Sequence, residues 1–247
     1  VAMAALAGML KEKGYRVTGS DEGVYPPMST LLEGLGITLC EGYGGANLDD
    51  APDLVVVGNK VSRNNPEVEA MLDRNLPFVS LPQALAELFL ADREPLVVAG
   101  THGKTTSTAM LAWVLETAGL DPSVLVGGHA LDFGGNYKLG SGRHFVLEGD
   151  EYDTAFFDKG PKFLHYRPRA VLLNAVEFDH ADIYRDLDHV KQSFRSLARI
   201  LPAGAPAVVA ADFPHAIDVF ADVKTTTFGL VDGAEWRAVG MHDTGAE

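Results

Sequence analysis

Apolar positions recur at helical spacing from Val1 to Lys13, where Gly14 ends the run, and Tyr15 to Asp21 then reads as a strand reaching a polar tip. The pairing repeats. Leu31 to Leu35 predicts a helix, Asp53 to Gly58 a buried strand, Pro66 to Arg74 a helix and Phe78 to Ser80 a short strand. Strands that are apolar on both faces and alternate with helices predict a parallel sheet covered by helices. A helix around Leu81 to Arg93 carries the chain to a second start, where the strand Glu94 to Ala99 runs straight into a glycine-rich loop at Gly100. Thr105 to Ala118 predicts a helix stopped by Gly119. Ser123 to Val126, Phe145 to Glu148, Ala170 to Leu173 and Ala207 to Ala210 predict further strands, and Leu131 to Gly142 a glycine-rich loop. The break near Arg93 divides the chain into two α/β domains, residues 1–92 and 93–247.

Composition and charge sharpen this picture. At 247 residues, 47% hydrophobic and 22% charged, the chain has enough apolar material for two ordinary cores. Its formal charge of -14, with no basic patch, opposes binding to nucleic acid or to an anionic membrane surface, so any phosphate must be held by local devices. One cysteine, Cys40, cannot form an intrachain disulfide, which fits a reducing, cytoplasmic setting, and no apolar run approaches the ~18 residues of a membrane span. The opening Val1 to Ala7 lacks the basic flank and cleavage region of a signal peptide. It reads as the middle of a helix, so further residues are expected upstream.

Three segments carry candidate chemistry, each at the end of a predicted strand. The first is Gly100-Thr101-His102-Gly103-Lys104-Thr105-Thr106, where a strand, a glycine loop and a helix start follow without a gap. Phosphates need this arrangement: backbone N–H groups at the helix start face the anion, Lys104 adds a point charge, and Thr105 offers a hydroxyl to Mg2+. The spacing departs from the full Gly-x-x-x-x-Gly-Lys pattern, whose first glycine would fall at Val98. The second is Glu148 to Asp153, four carboxylates within six residues, a cluster that calls for cations and suits a magnesium ion shared with nucleotide phosphates. A solvated acidic turn is the alternative. The third, Asn174 to Asp182, places His180 among carboxylates beyond a strand end, where ligands of open α/β sheets bind.

In this order the three segments resemble the central-domain motifs of the Mur ligases, and the resemblance spans essentially the whole chain. It implies a Rossmann-like UDP-sugar-binding domain followed by a P-loop-type α/β ATPase domain, both incomplete, with a third, acceptor-binding domain expected beyond the C-terminus. His102 and the Glu148 to Glu151 stretch resemble the members that act directly on UDP-N-acetylmuramate. Residues 25–30, 148–159 and 165–169 resemble those whose acceptor is L-alanyl-γ-D-glutamyl-meso-diaminopimelate, used in peptidoglycan recycling; L-alanine is the alternative acceptor.

Carried over by position, the resemblance implies that Gly100, Thr101, His102, Gly103, Lys104, Thr105 and Thr106 bind ATP. Lys104, Glu148 and His180 would be catalytic, and Thr105, Glu148 and His180 would hold Mg2+. Asp21, Asn59 and Asn65 would lie near the UDP moiety, Gly127, Gly128 and Asn136 near the sugar and its carboxylate, and Asn174 on the same rim. The implied reaction is amide formation through an acyl phosphate, with ATP and Mg2+ as cofactors. Two rival readings stand beside it, a folylpolyglutamate-type synthetase and a nucleotide- or UDP-sugar-binding protein without turnover.

Overall fold

The computed structural model describes residues 1–179 and 184–241. The first part runs α1 (Ala2–Glu12), β1 (Thr18–Asp21), α2 (Met28–Gly34), β2 (Thr38–Glu41), a 3-10 turn at Gly45–Leu48, β3 (Val55–Val57), α3 (Pro66–Asp73), β4 (Phe78–Ser80) and α4 (Leu81–Leu88). Its ends follow local chemistry. The Asn65 side chain accepts from the backbone N–H groups of Glu67 and Val68 to start α3, and Ser80 and Gln83 form a reciprocal capping box on α4. The expected single parallel sheet is instead two parallel pairs among the described residues, β1 with β2 and β3 with β4. β2 escaped the sequence reading because it has four residues, only two of them even partly buried.

The second part runs β5 (Glu94–Ala99), α5 (Lys104–Thr117), β6 (Ser123–Ala130), β7 (Gly135–Lys138), β8 (His144–Gly149), β9 (Asp153–Ala155), β10 (Asp158–Pro161), β11 (Ala170–Leu173), α6 (Leu187–Ile200), β12 (Ala207–Ala210), α7 (Pro214–Val219), β13 (Thr226–Gly229) and β14 (Trp236–Arg237). Eight of these strands form one sheet in the order β14-β13-β12-β11-β5-β8-β6-β7. All neighbours are parallel except β7, which returns antiparallel to β6. The segment expected to be a glycine-rich loop therefore contains a strand. Tyr137 explains it: its ring packs into the core beneath α1, and its hydroxyl donates to Glu12 Oε1 at 2.8 Å.

Both faces of this sheet are covered, as period-two alternation shows. In β8, Phe145 and Leu147 join the larger core with α1, α4, α6 and α7, whereas Val146 points the other way, to the smaller core beneath α5. A hairpin, β9 paired antiparallel with β10, leaves the sheet after β8. At its turn Phe156 packs against Leu48, Val57, Val68 and Met71, and Phe157 meets the Phe78 ring edge-on at 5.1 Å. No helix among the described residues is long and apolar enough to cross a membrane.

The strand order decides where chemistry can occur. β11, β5 and β8 are adjacent and parallel, so the residues that follow each of them emerge side by side at one edge.

Candidate functional site

The loop from β5 to α5 lies on the end of β11. Gly100 has φ +137°, and a Cβ there would stand 2.9 Å from the Ala175 carbonyl oxygen, so only glycine lets the two backbones approach. Thr101 N–H donates to that same carbonyl at 2.7 Å, and Thr101 Oγ1 accepts from Glu177 N–H at 3.2 Å. Gly103, in the left-handed region at φ +75°, turns the chain into α5. The first turn of that 14-residue helix thus presents its unpaired N–H groups at the strand edge, where an anion is stabilised.

Lys104 folds back over the loop. Its Nζ donates to Gly100 O at 2.7 Å and Thr101 O at 3.3 Å, and it pairs with Glu151 at 2.9 Å. Beside it Thr105 Oγ1 donates to Glu148 Oε1 at 2.9 Å, while Gly127 N–H donates to Glu148 Oε2 at 2.7 Å. Gly128 closes the other side: a Cβ there would lie 3.1 Å from Thr105 Cγ2. Gly127 and Gly128 are thereby assembled with Thr105 and Glu148. His102 and Thr106 are exposed at the same loop, with His102 ring nitrogens 3.8 Å from carboxylate oxygens of Glu177 and of Asp179. Asn174 Nδ2 donates to Ser107 Oγ at 3.0 Å, tying the third segment to α5.

The acidic stretch has a different internal order from the one its composition suggests. Asp150 pairs with Lys162, Glu151 with Lys104 and Asp153 with Lys159, so lysines already answer three of the four carboxylates. Glu148 differs in facing a hydroxyl and an N–H. Burial holds the Glu151 carboxyl above its ordinary pKa, an effect that the Lys104 ammonium only partly offsets. Sequence reasoning grouped Glu151 with the others and passed over Tyr184, whose hydroxyl donates to the Glu151 carbonyl at 2.6 Å. His180 lies outside the described residues.

The remaining expected residues are dispersed. Asp21 ends β1 and accepts from Gly23 N–H at 3.1 Å, Asn59 is exposed after β3, and Asn65 spends its side-chain oxygen capping α3. Asn136 is buried, with Nδ2 donating to Val1 O at 3.2 Å. Glu67 was not singled out, yet it accepts from Ser20 Oγ at 2.7 Å, Asn47 Nδ2 at 2.8 Å and Gly44 N–H at 3.2 Å. It joins the ends of β1 and β2 to α3.

A mostly parallel sheet with a glycine loop leading into a lysine-bearing helix N-terminus defines the class: a phosphate-loop α/β fold. Comparison with known proteins narrows it. Residues 1–93 match the family model described as Mur ligase family, catalytic domain, and residues 98–246 match that of the Mur ligase middle domain. The chain belongs to the Mur ligase family, whose members are ATP-dependent ligases. The UDP-N-acetylmuramate--L-alanyl-gamma-D-glutamyl-meso-2,6-diaminoheptandioate ligase of Escherichia coli (strain K12) is 51% identical over 200 residues, 81% of this chain and 44% of that protein. The UDP-N-acetylmuramate--L-alanine ligase of Syntrophus aciditrophicus (strain SB) is 35% identical over 248 residues, 100% of this chain and 50% of that protein. The crystal structure of the UDP-N-acetylmuramate:L-alanyl-gamma-D-glutamyl-meso-diaminopimelate ligase from Neisseria meningitides matches with a TM-score of 0.87 at 44% identity, covering 92% of this chain and 74% of that one. The chain spans about half the length of the curated relatives it matches.

Proposed function

We propose that this chain supplies the ATP-binding and UDP-sugar-binding parts of a cytoplasmic ligase that joins UDP-N-acetylmuramate to L-alanyl-γ-D-glutamyl-meso-diaminopimelate, returning cell-wall peptide to use. Residues 1–92 take the UDP-sugar and residues 93–247 the ATP. One observation carries the ATP half: Lys104 and the Thr105–Glu148 pair stand together at the start of α5, beside a loop whose glycines admit close backbone approach. The 51% identity to the E. coli tripeptide ligase supports the choice of acceptor over the L-alanine alternative at 35%.

The residues fit Mg2+. Thr105 Oγ1 and Glu148 Oε1 are hard oxygen donors 2.9 Å apart, and no group of three or more His, Cys, Asp and Glu gathers among the described residues. Two protein oxygens suit an ion that keeps waters and phosphate oxygens as its other ligands. When bound, the ion would neutralise phosphate charge.

In this reading Lys104 and the α5 N–H groups hold the phosphates in line with the muramic carboxylate, which attacks the γ-phosphorus and expels ADP. The acceptor amine then adds to the acyl phosphate. Collapse of the tetrahedral oxyanion breaks the carbon–oxygen bond and, as the amine gives up one proton to the departing phosphate or to water, releases inorganic phosphate and forms the amide. The decisive test incubates the whole protein with ATP, Mg2+, UDP-N-acetylmuramate and either the tripeptide or L-alanine, and follows the UDP-linked product by mass spectrometry. Tripeptide adduct is expected. L-alanine adduct alone refutes the acceptor assignment, and binding of both nucleotides without either product refutes ligase turnover. Lys104→Ala should remove ATP binding and leave UDP-sugar binding in place.

A further inference from the structure

Three N–H donors on the Lys104 ammonium meet Gly100 O at 2.7 Å, the Glu151 carboxylate at 2.9 and 3.1 Å and Thr101 O at 3.3 Å. The last contact is the longest. The Glu151 side chain is 0% exposed and that of Lys104 12% exposed, so the pair lies almost wholly out of water. Glu151 is fixed from its backbone as well, because the buried Tyr184 hydroxyl donates to its carbonyl at 2.6 Å and in turn accepts from the Ser193 hydroxyl at 3.3 Å.

A carboxylate so enclosed is poorly placed to join an ion that must keep several waters. Glu148, three residues earlier, faces the Thr105 hydroxyl instead. The two acids therefore hold different partners, one a hydroxyl and a backbone N–H, the other a lysine. A buried ammonium without a counter-charge is strongly disfavoured, and a long, flexible lysine left unpaired would swing to solvent.

Building on the phosphate-loop reading above, we propose that Glu151 is the positioning residue of the phosphate loop, a buried counter-charge that keeps Lys104 on the loop carbonyls. An arriving phosphate then replaces the long Thr101 contact while the ion pair stays intact. Glu151 so defined touches neither phosphate nor metal. It acts through Lys104.

The test has two arms. In the first, ligand-free protein is labelled with an acetylating reagent and the modification of Lys104 is read by peptide mass spectrometry against the exposed Lys60. Glu151→Gln should raise Lys104 labelling severalfold, whereas Glu148→Gln should leave it unchanged. In the second arm, inorganic tripolyphosphate is titrated by calorimetry with and without Mg2+. Glu151→Gln should weaken metal-free binding on the order of 10-fold, the scale on which breaking one buried charge pair is felt. The Mg2+ dependence should not move, and Glu151→Asp should recover part of the loss. Unchanged labelling in Glu151→Gln, or a shift in its Mg2+ dependence like that of Glu148→Gln, overturns the proposal. Wild-type protein that binds no tripolyphosphate refutes the phosphate-loop reading, while labelling still decides whether Glu151 holds Lys104. Should Glu151→Gln not fold, Lys104→Met/Glu151→Gln removes both charges together. Recovery of a cooperative melt in the double variant supports the pair, and a melt as poor as the single variant's refutes it.

Discussion

Thr105 gives its hydroxyl hydrogen to Glu148 Oε1 at 2.9 Å, linking the first turn of α5 to the end of β8 across the strand edge. The contact brings two hard donors together with no lysine on either. If it marks the magnesium seat, Glu148→Gln should raise the Mg2+ concentration for half-maximal ATP binding by about 10-fold, because an amide oxygen is a much weaker ligand for a hard dication than a carboxylate. Calorimetric titration across a Mg2+ series measures this. A superimposable Mg2+ profile for variant and wild type would sink the assignment.

Gly100 should be the least replaceable glycine of the loop. Alanine there meets both an unfavourable φ of +137° and the Ala175 carbonyl at 2.9 Å, an immobile backbone atom. The expected loss is about 3 kcal/mol in denaturant unfolding. Gly119→Ala is the matched control, since its φ is +74° but nothing lies within 4 Å. It should cost only about 1 kcal/mol, the conformational penalty alone. Equal losses at the two positions would deny that the loop is pressed onto β11.

Part of this architecture was legible and part was not. β5, its loop and α5 stand out because a five-residue apolar run ends at a glycine and a helix pattern begins within four residues. β7 was hidden by glycines that signal a loop. Gly140 and Gly142 are glycines for another reason, since a Cβ at either would collide with the backbone of Leu120 to Pro122. α6 shows the opposite case: Val190, Phe194, Leu197 and Ala198 form one buried stripe and Asp186 caps the helix, although Lys191 and Arg195 interrupt the apolar positions. The acidic stretch was visible as composition only. Its pairing with Lys104 joins positions 47 apart, a fact that only the folded chain holds.

A pH effect should appear away from the site. Lys138 and the Ser141 N–H and hydroxyl hold the Asp121 carboxyl well below its ordinary pKa, as hydrogen bonds to the charged form do. A carboxyl whose folded-state pKa is depressed contributes stability above its unfolded value, and that contribution fades as pH falls toward the folded value. Melting temperatures measured from about pH 5 down to about pH 2 should therefore fall less steeply for Asp121→Asn than for wild type. Parallel curves would show that this contact adds nothing to acid sensitivity.

Phe156→Ala removes the half-buried ring at the hairpin turn and should lower stability by about 2 kcal/mol, less than a fully buried phenylalanine would. Phe157 is more exposed and meets the Phe78 and Phe156 rings only edge-on, so it should matter less. Denaturant midpoints for the two variants and wild type test the order. The picture fails if Phe157→Ala proves the more damaging.

That turn has a consequence for how such chains diverge. Phe156 follows the acidic stretch in sequence, yet the surface it fills is made by Leu48, Val57, Val68 and Met71 from the earlier part of the chain. The two regions matched by separate family models are thus not interchangeable cassettes. A first region grafted from a relative with a different residue at 48 or 71 would meet a turn cut to another shape, and the mismatch would be felt a few residues from Glu148 and Glu151. Drift on one side of this contact should therefore be answered by drift on the other, long before Lys104 or Glu148 is touched.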